Sequence, residues 1–127
     1  MNQGKPVTVS SQIDQPGYDA ARAVDDDIAT RWASDFQARD GWLAVDLGEE
    51  KEIGRVWISE IEWPETREFA LEVKQGNAWK EVARGTTIGA DKDISFAPVR
   101  AREVRLHVFK AERPINISEF QVFSPAK

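Results

Sequence analysis

No stretch of this sequence sustains the spacing of an amphipathic helix. Its apolar residues come in short runs, several strictly alternating, with turn signals between them. That pattern restricts the chain to an all-β sandwich or barrel. Trp42-Leu43-Ala44-Val45-Asp46-Leu47-Gly48 places Leu43, Val45 and Leu47 on one face and Trp42, Ala44 and Asp46 on the other, with a Gly-Glu-Glu turn after it. Residues 69–74 alternate as cleanly, and Gln75-Gly76-Asn77 turns them into Trp79-Lys80-Glu81-Val82, a hairpin. Further strands are expected at 6–10, at 94–96, at 103–109 with Val104, Leu106 and Val108 inward, and at 117–123, with Ala97-Pro98 as a turn. Residues 53–59 are apolar almost throughout, as in a central strand covered on both faces. Residues 19–24 fit one helical turn and 34–41 a loop, and the two ends are expected to lie near each other.

At 127 residues the chain is expected to be a single domain, 1–127, with one core. No apolar run approaches the roughly 20 residues of a membrane span, and the first residues lack the apolar core of a signal peptide. The chain therefore reads either as a cytoplasmic protein or as a domain of a larger exported one. With no cysteine, neither a disulfide framework nor a thiolate metal site is possible. A net charge of −5 argues against nucleic acid phosphates and anionic lipid surfaces as partners and leaves neutral ligands or protein surfaces.

The stretch from Arg22 to Trp32 holds Asp25, Asp26, Asp27 and Thr30. On a looped backbone two carboxylates, a hydroxyl and one or two carbonyls can converge, the hard-oxygen chemistry of calcium, which takes six to eight such donors at about 2.3–2.6 Å. The spacing is not that of an EF-hand, so the remaining ligands must come from elsewhere in the chain. The same run also reads as a solvated acidic turn.

Over nearly its whole length the chain resembles the discoidin, or coagulation factor 5/8 type C, family, which includes the family 32 carbohydrate-binding modules. The resemblance rests on Gly4-Lys5-Pro6-Val7-Thr8-Val9-Ser10-Ser11, Ala23-Val24-Asp25 running to Thr30-Arg31-Trp32, residues 42–48, Trp79-Lys80-Glu81-Val82-Ala83, Ala101-Arg102-Glu103-Val104-Arg105-Leu106 and Ile117-Ser118-Glu119-Phe120. It implies a galactose-binding-domain-like jelly-roll β-sandwich with a structural Ca2+. The implied ligands are the Arg22 carbonyl, Asp25, Asp27, Thr30 through hydroxyl and carbonyl, the Ser118 carbonyl and Glu119. The family usually has glycine where this chain has Asp26, which implies a strained left-handed backbone there and not loss of the site.

In sugar-binding members the ligand lies on loops at one end of the sandwich, here 34–41, 60–67 and 110–116. These loops carry Trp63 with Glu60, Glu62 and Arg67, then Phe36, Asp35 and Arg39, then Arg113 and Asn116. An aromatic covers the C–H face of a pyranose, while carboxylates, amides and guanidinium groups hold its hydroxyls. Trp63 reads equally as a loop-packing residue, and Arg67 as a surface partner of Glu62 or Glu65. Trp32, Trp42, Trp57 and Trp79 fall in strand phrases and are assigned to the core or its rim, and His107 to an outward-facing strand position without a role. Galactose-binding members place a histidine directly after the tryptophan matching Trp32, where this chain has Ala33. Trp32-Ala33-Ser34-Asp35 and residues 79–89 are similar to the C-terminal domain of bacterial α-L-fucosidases.

The expectation is a monomeric, noncatalytic carbohydrate-binding module that targets a catalytic glycosidase domain of the same parent chain to glycans. The parent is expected to be an exported bacterial protein, extracellular, periplasmic or at the cell surface. The alternative is a protein-docking domain with no free sugar site. A lone strand histidine and the absence of a Gly-x-Ser-x-Gly motif speak against an enzyme.

Overall fold

The computed structural model describes all residues except Met1, Gln3, Gln15, Ile28, 61–64, Ala126 and Lys127. Its strands are β1 (Val7–Val9), β2 (Trp32–Ala33), β3 (Gly41–Ser59), β4 (Thr66–Gln75), β5 (Ala78–Gly85), β6 (Lys92–Ala111), β7 (Asn116–Ile117) and β8 (Glu119–Phe123). A short 3-10 helix, Ala20–Ala23, precedes the acidic loop. Every strand pair is antiparallel.

β3 and β6 pair along both their halves and organise the rest. The first half of β3 pairs with the second half of β6, from Gly41↔Val108 to Asp46↔Glu103; the second half pairs with the start of β6, from Lys51↔Ala101 to Ile58↔Lys92. One layer is completed by β1 on β3 and by the β4–β5 hairpin on β6, the other by β8 on β3. The inner faces meet in one core: Leu43, Val45 and Leu47 of β3 and Val104, Leu106 and Val108 of β6 are at most 1 % exposed. They share a cluster with Ile53, Val56, Ile58, Phe120 and Val122. This is the expected all-β jelly-roll sandwich. Among the described residues no helix is long and apolar enough to cross a membrane.

Several local expectations are corrected. Gly48-Glu49-Glu50 is not a turn between strands but a bend inside β3, made possible by the positive φ of Gly48 (89°). Ala97-Pro98 likewise does not end a strand. The register jumps between Ile53↔Val99 and Arg55↔Ser95, so the proline sits in a bulge where its missing N–H costs no ladder bond. Residues 53–59 have neighbours on both edges but only one covered face, since Arg55 and Trp57 are half exposed. The last strand is split, Asn116–Ile117 pairing with β2 and Glu119–Phe123 with β3. The ends do meet: the buried Asn2 amide donates to the Phe120 carbonyl and accepts from Val122 N–H.

Asp46 fastens the β3 bend. One carboxylate oxygen accepts from Gly48 N–H at 2.8 Å, and both oxygens pair with Arg102 of β6 at 2.7 and 3.1 Å. Arg102 first, and the Gly48 N–H second, hold this carboxyl below its ordinary value of 3.8. A carboxylate whose pKa is lowered by folding contributes stability above its unfolded pKa and loses it as pH falls through the folded one. The difference in melting temperature between the protein and Asp46→Asn is expected to be steady above about pH 4 and to close below it. A difference that persists unchanged in acid contradicts this role.

Candidate functional site

Three segments meet at one end of the sandwich. Ser34 and Ile115 are clasped by two bonds, Ser34 N–H to the Ile115 carbonyl and Ile115 N–H to Ser34 Oγ, both 2.8 Å. Glu112 N–H donates to the Glu65 carbonyl at 2.9 Å. The expected loops 34–41, 60–67 and 110–116 are therefore adjacent. Trp63 and Glu62, the centre of the expected sugar site, lie outside the described residues.

The other expected ligand residues divide. Glu60 is not a free ligand group. It is 3 % exposed, and its carboxylate accepts from Thr66 N–H (3.1 Å), Thr66 Oγ1 (2.9 Å) and Gly89 N–H (2.8 Å). It is a clamp that ties the segment after β3 to the one before β6. Arg67 pairs with Glu112 at 3.2 Å and donates to the Thr66 carbonyl; Glu62, one of its expected partners, lies outside the described residues. Asn116 accepts from Arg31 Nε and donates to the Pro114 carbonyl. The Arg39 guanidinium is taken by the Phe36 and Ala38 carbonyls of its own loop. Arg113 is exposed. Phe36 stands out, 66 % exposed, beside Asp35, whose Oδ1 accepts from Gln37 N–H.

Beside Phe36 opens a cleft of about 510 Å³ lined by Ser10, Ser11, Asp35, Gln37, Ala38, Asp40, Gly41, Trp42 and His107. Asp35 was an expected ligand residue, and Gln37, Ala38, Asp40 and Gly41 fall in its expected loop 34–41; Ser10, Ser11, Trp42 and His107 were not expected at a site. Trp42 and His107 are register partners on the outer face of β3 and β6, both half exposed. His107 Nδ1 lies 3.1 Å from Glu72 Oε1, which also accepts from Arg105 Nε at 2.7 Å. The alternation of residues 42–48 placed Trp42 outward, and that was the available signal. Trp57 and Trp79 are also half exposed on the rim, and among the described tryptophans only Trp32 is core, at 1 % exposure, its indole N–H donating to the Ser11 carbonyl.

The acidic loop brings four expected cation ligands together. Asp27 N–H donates to Asp25 Oδ1, Thr30 Oγ1 is within hydrogen-bond distance of Asp25 Oδ2 and of the Asp27 carbonyl, and Ala29 N–H donates to Asp27 Oδ1. From β8, the fully buried Glu119 carboxylate accepts from Asp26 N–H at 3.0 Å. Asp26 has φ 57°, the left-handed backbone expected where relatives have glycine. The Arg22 side chain pairs with Asp19, and Ser118 is buried with its hydroxyl on the Glu60 carbonyl. All these donors are hard oxygens, and three consecutive aspartates over a buried glutamate gain from a cation. Among the described residues no three carboxylate or imidazole side chains form a cluster of their own, so carbonyls and the Thr30 hydroxyl would have to complete the shell.

Glu60→Ala, by removing the clamp, is expected to cost about 3 kcal/mol and to lower the melting temperature by several degrees. Weakened sugar binding at unchanged stability would instead return Glu60 to the ligand groups.

Comparison with known proteins matches the fold. Chitosan-binding module 2 of a chitosanase/glucanase from Paenibacillus sp. IK-5, solved with chitotriose, superposes with a TM-score of 0.88 at 28 % identity, over 97 % of this chain and 98 % of that one. A family GH29 fucosidase of Ruminococcus gnavus, in complex with fucose, matches with a TM-score of 0.87 at 25 % identity over 98 % of this chain but 26 % of its own. A putative α-L-fucosidase from Bacteroides thetaiotaomicron, at 20 % identity and a TM-score of 0.89, covers 99 % of this chain and 28 % of its own and shares the fold. Among curated proteins none matches. The family model described as NedA-like, galactose-binding domain matches residues 22–106, more than half of the sequence. The chain thus has the fold of a carbohydrate-binding module and belongs to the F5/F8 type C family.

Proposed function

We propose that this domain is a noncatalytic carbohydrate-binding module that holds an attached glycoside hydrolase of an exported bacterial protein at its glycan. The observation that carries the reading is the loop-end cleft. It sets the half-exposed Trp42 ring among the carboxylates of Asp35 and Asp40, the Gln37 amide and the hydroxyls of Ser10 and Ser11. Such a wall covers the apolar face of a pyranose and accepts bonds from its hydroxyls. Phe36, in the same loop as Asp35 and Gln37, is a further exposed aromatic.

Among the described residues the cleft lining holds two carboxylates and neither lysine nor arginine, so it favours neutral or amino sugars over uronates. The chitotriose complex of a neighbour with the same fold supports that preference. The family's galactose-binding description is not carried over, because Ala33, 6 % exposed in β2, stands where galactose binders have histidine. A module on a hydrolase raises the local concentration of substrate without doing chemistry. Glycosidase chains among the structural neighbours, of which this chain spans about a quarter, support such an attachment.

With chitotriose, the indole fluorescence is expected to change saturably, and Trp42→Ala to weaken binding by about tenfold or more. No response to chitotriose, fucosylated or galactosylated oligosaccharides contradicts the reading and favours a docking domain.

The acidic loop is part of the same proposal. Asp25, Asp27, Thr30 and Glu119, with carbonyls of Arg22 and Ser118, would hold a calcium ion whose work is structural, tying the loop to β8. If calcium binds the folded state alone, a concentration 100 times its dissociation constant adds about 2.7 kcal/mol. A chelator is then expected to lower the melting temperature by several degrees, and Asp25→Ala to abolish that response. A melting curve indifferent to chelator removes the ion from the account.

A further inference from the structure

β3 and β8 carry a second cleft, sharing no residue with the first. Along the pair, Val56, Ile58, Phe120 and Val122 point into the core, while Arg55↔Phe123 and Trp57↔Gln121 form cross-strand pairs that are half exposed. With Asp26 and Glu119 these four residues line a depression of about 370 Å³. That volume lies in the range of small-ligand sites, about 300–1,000 Å³.

Its aromatic groups are held in place. Trp57 Nε1 donates to Asp91 Oδ1 at 2.6 Å, and the Arg55 guanidinium lies 4.7 Å from the centre of the Phe123 ring. Arg55 Nε and Nη2 donate to the two oxygens of Asp93 at 2.8 and 3.0 Å, which neutralises the one cation among the described lining residues. Gln121 Nε2 donates to Asp26 Oδ1 at 3.1 Å, and among the described residues Gln121 Oε1 and Asp26 Oδ2 have no partner. Asp26 is itself fixed through its N–H on Glu119. The cleft thus offers the pinned Trp57 ring beside acceptors, with little spare positive charge. That combination fits a ring with one C–H face and outward hydroxyl or ammonium donors.

We propose that this cleft is a second carbohydrate-binding site, taking a neutral or amino pyranose. The proposal rests on the reading that the chain binds carbohydrate. Two separated sites on one chain make it bivalent toward a polymer, with avidity beyond either site alone.

The test is an amide and indole NMR titration of the whole chain with chitotriose and, separately, with trigalacturonate. The indole N–H signals of Trp42 and Trp57 report the two clefts. Chitotriose is expected to shift both saturably; Trp57→Ala and Gln121→Ala weaken the second site by about tenfold or more and leave the Trp42 site unchanged. Gln121→Ala, at a half-exposed position, serves where Trp57→Ala lowers the melting temperature. Trp42→Ala is expected to leave the Trp57 response intact, and trigalacturonate to bind the second cleft at least about tenfold more weakly. A titration that moves only the Trp42 cleft, or Trp57 shifts that vanish with Trp42→Ala, overturns the second site and spares the first. Equal binding of trigalacturonate overturns the sugar class. No shift at either cleft with either sugar overturns this site and counts against the carbohydrate reading as well.

Discussion

The structure depends on a strand pair too long for one layer. β3 has 19 residues and β6 has 20, roughly 65 Å of straight strand in a domain whose radius of gyration is about 14 Å. The two stay hydrogen-bonded to each other through a bend and so build both layers of the sandwich. The bend is permitted by Gly48 and fastened by Asp46, which joins the Gly48 N–H to Arg102 of the neighbouring strand. The remaining strands of the main sheet attach to the edges that this pair leaves open or to β4, which it already carries.

Both clefts are consequences of the same alternation that fills the core. Burying Leu43 and Val45 obliges Trp42 to face outward, and burying Val56 and Ile58 does the same to Trp57. Each ring stands beside short polar neighbours: the loop after β2 supplies them to Trp42, β8 and the acidic loop to Trp57. The loop end owes its shape to buried polar clasps. Glu60 gathers Thr66 and Gly89 around one carboxylate, and Ser34 closes on Ile115. Such clasps position the surrounding side chains without touching a ligand themselves.

The architecture was legible in the sequence because period-two patterning is a local property. Residues 42–48, 69–74 and 103–109 announced their core faces unaided. What local pattern cannot show is whether two runs are one strand, which is why the Gly48 bend and the Pro98 bulge read as breaks. The left-handed backbone at Asp26 was legible through its position in the family pattern. The Glu60 clamp and the Arg67–Glu112 pair were not, since Gly89 and Glu112 lie far along the chain. His107 was legible as an outward residue, and Trp42 as lying on the strand face opposite Leu43 and Val45, at the core or its rim. Their meeting with Ser10, Asp35 and Asp40 depends on how three distant segments close.

The most direct test of the account is a crystal structure of the domain grown with chitotriose. The account predicts a pyranose ring against Trp42, with its hydroxyl or ammonium groups on Asp35, Asp40 or Gln37. Sugar bound elsewhere, with the Trp42 cleft open to solvent, would contradict it.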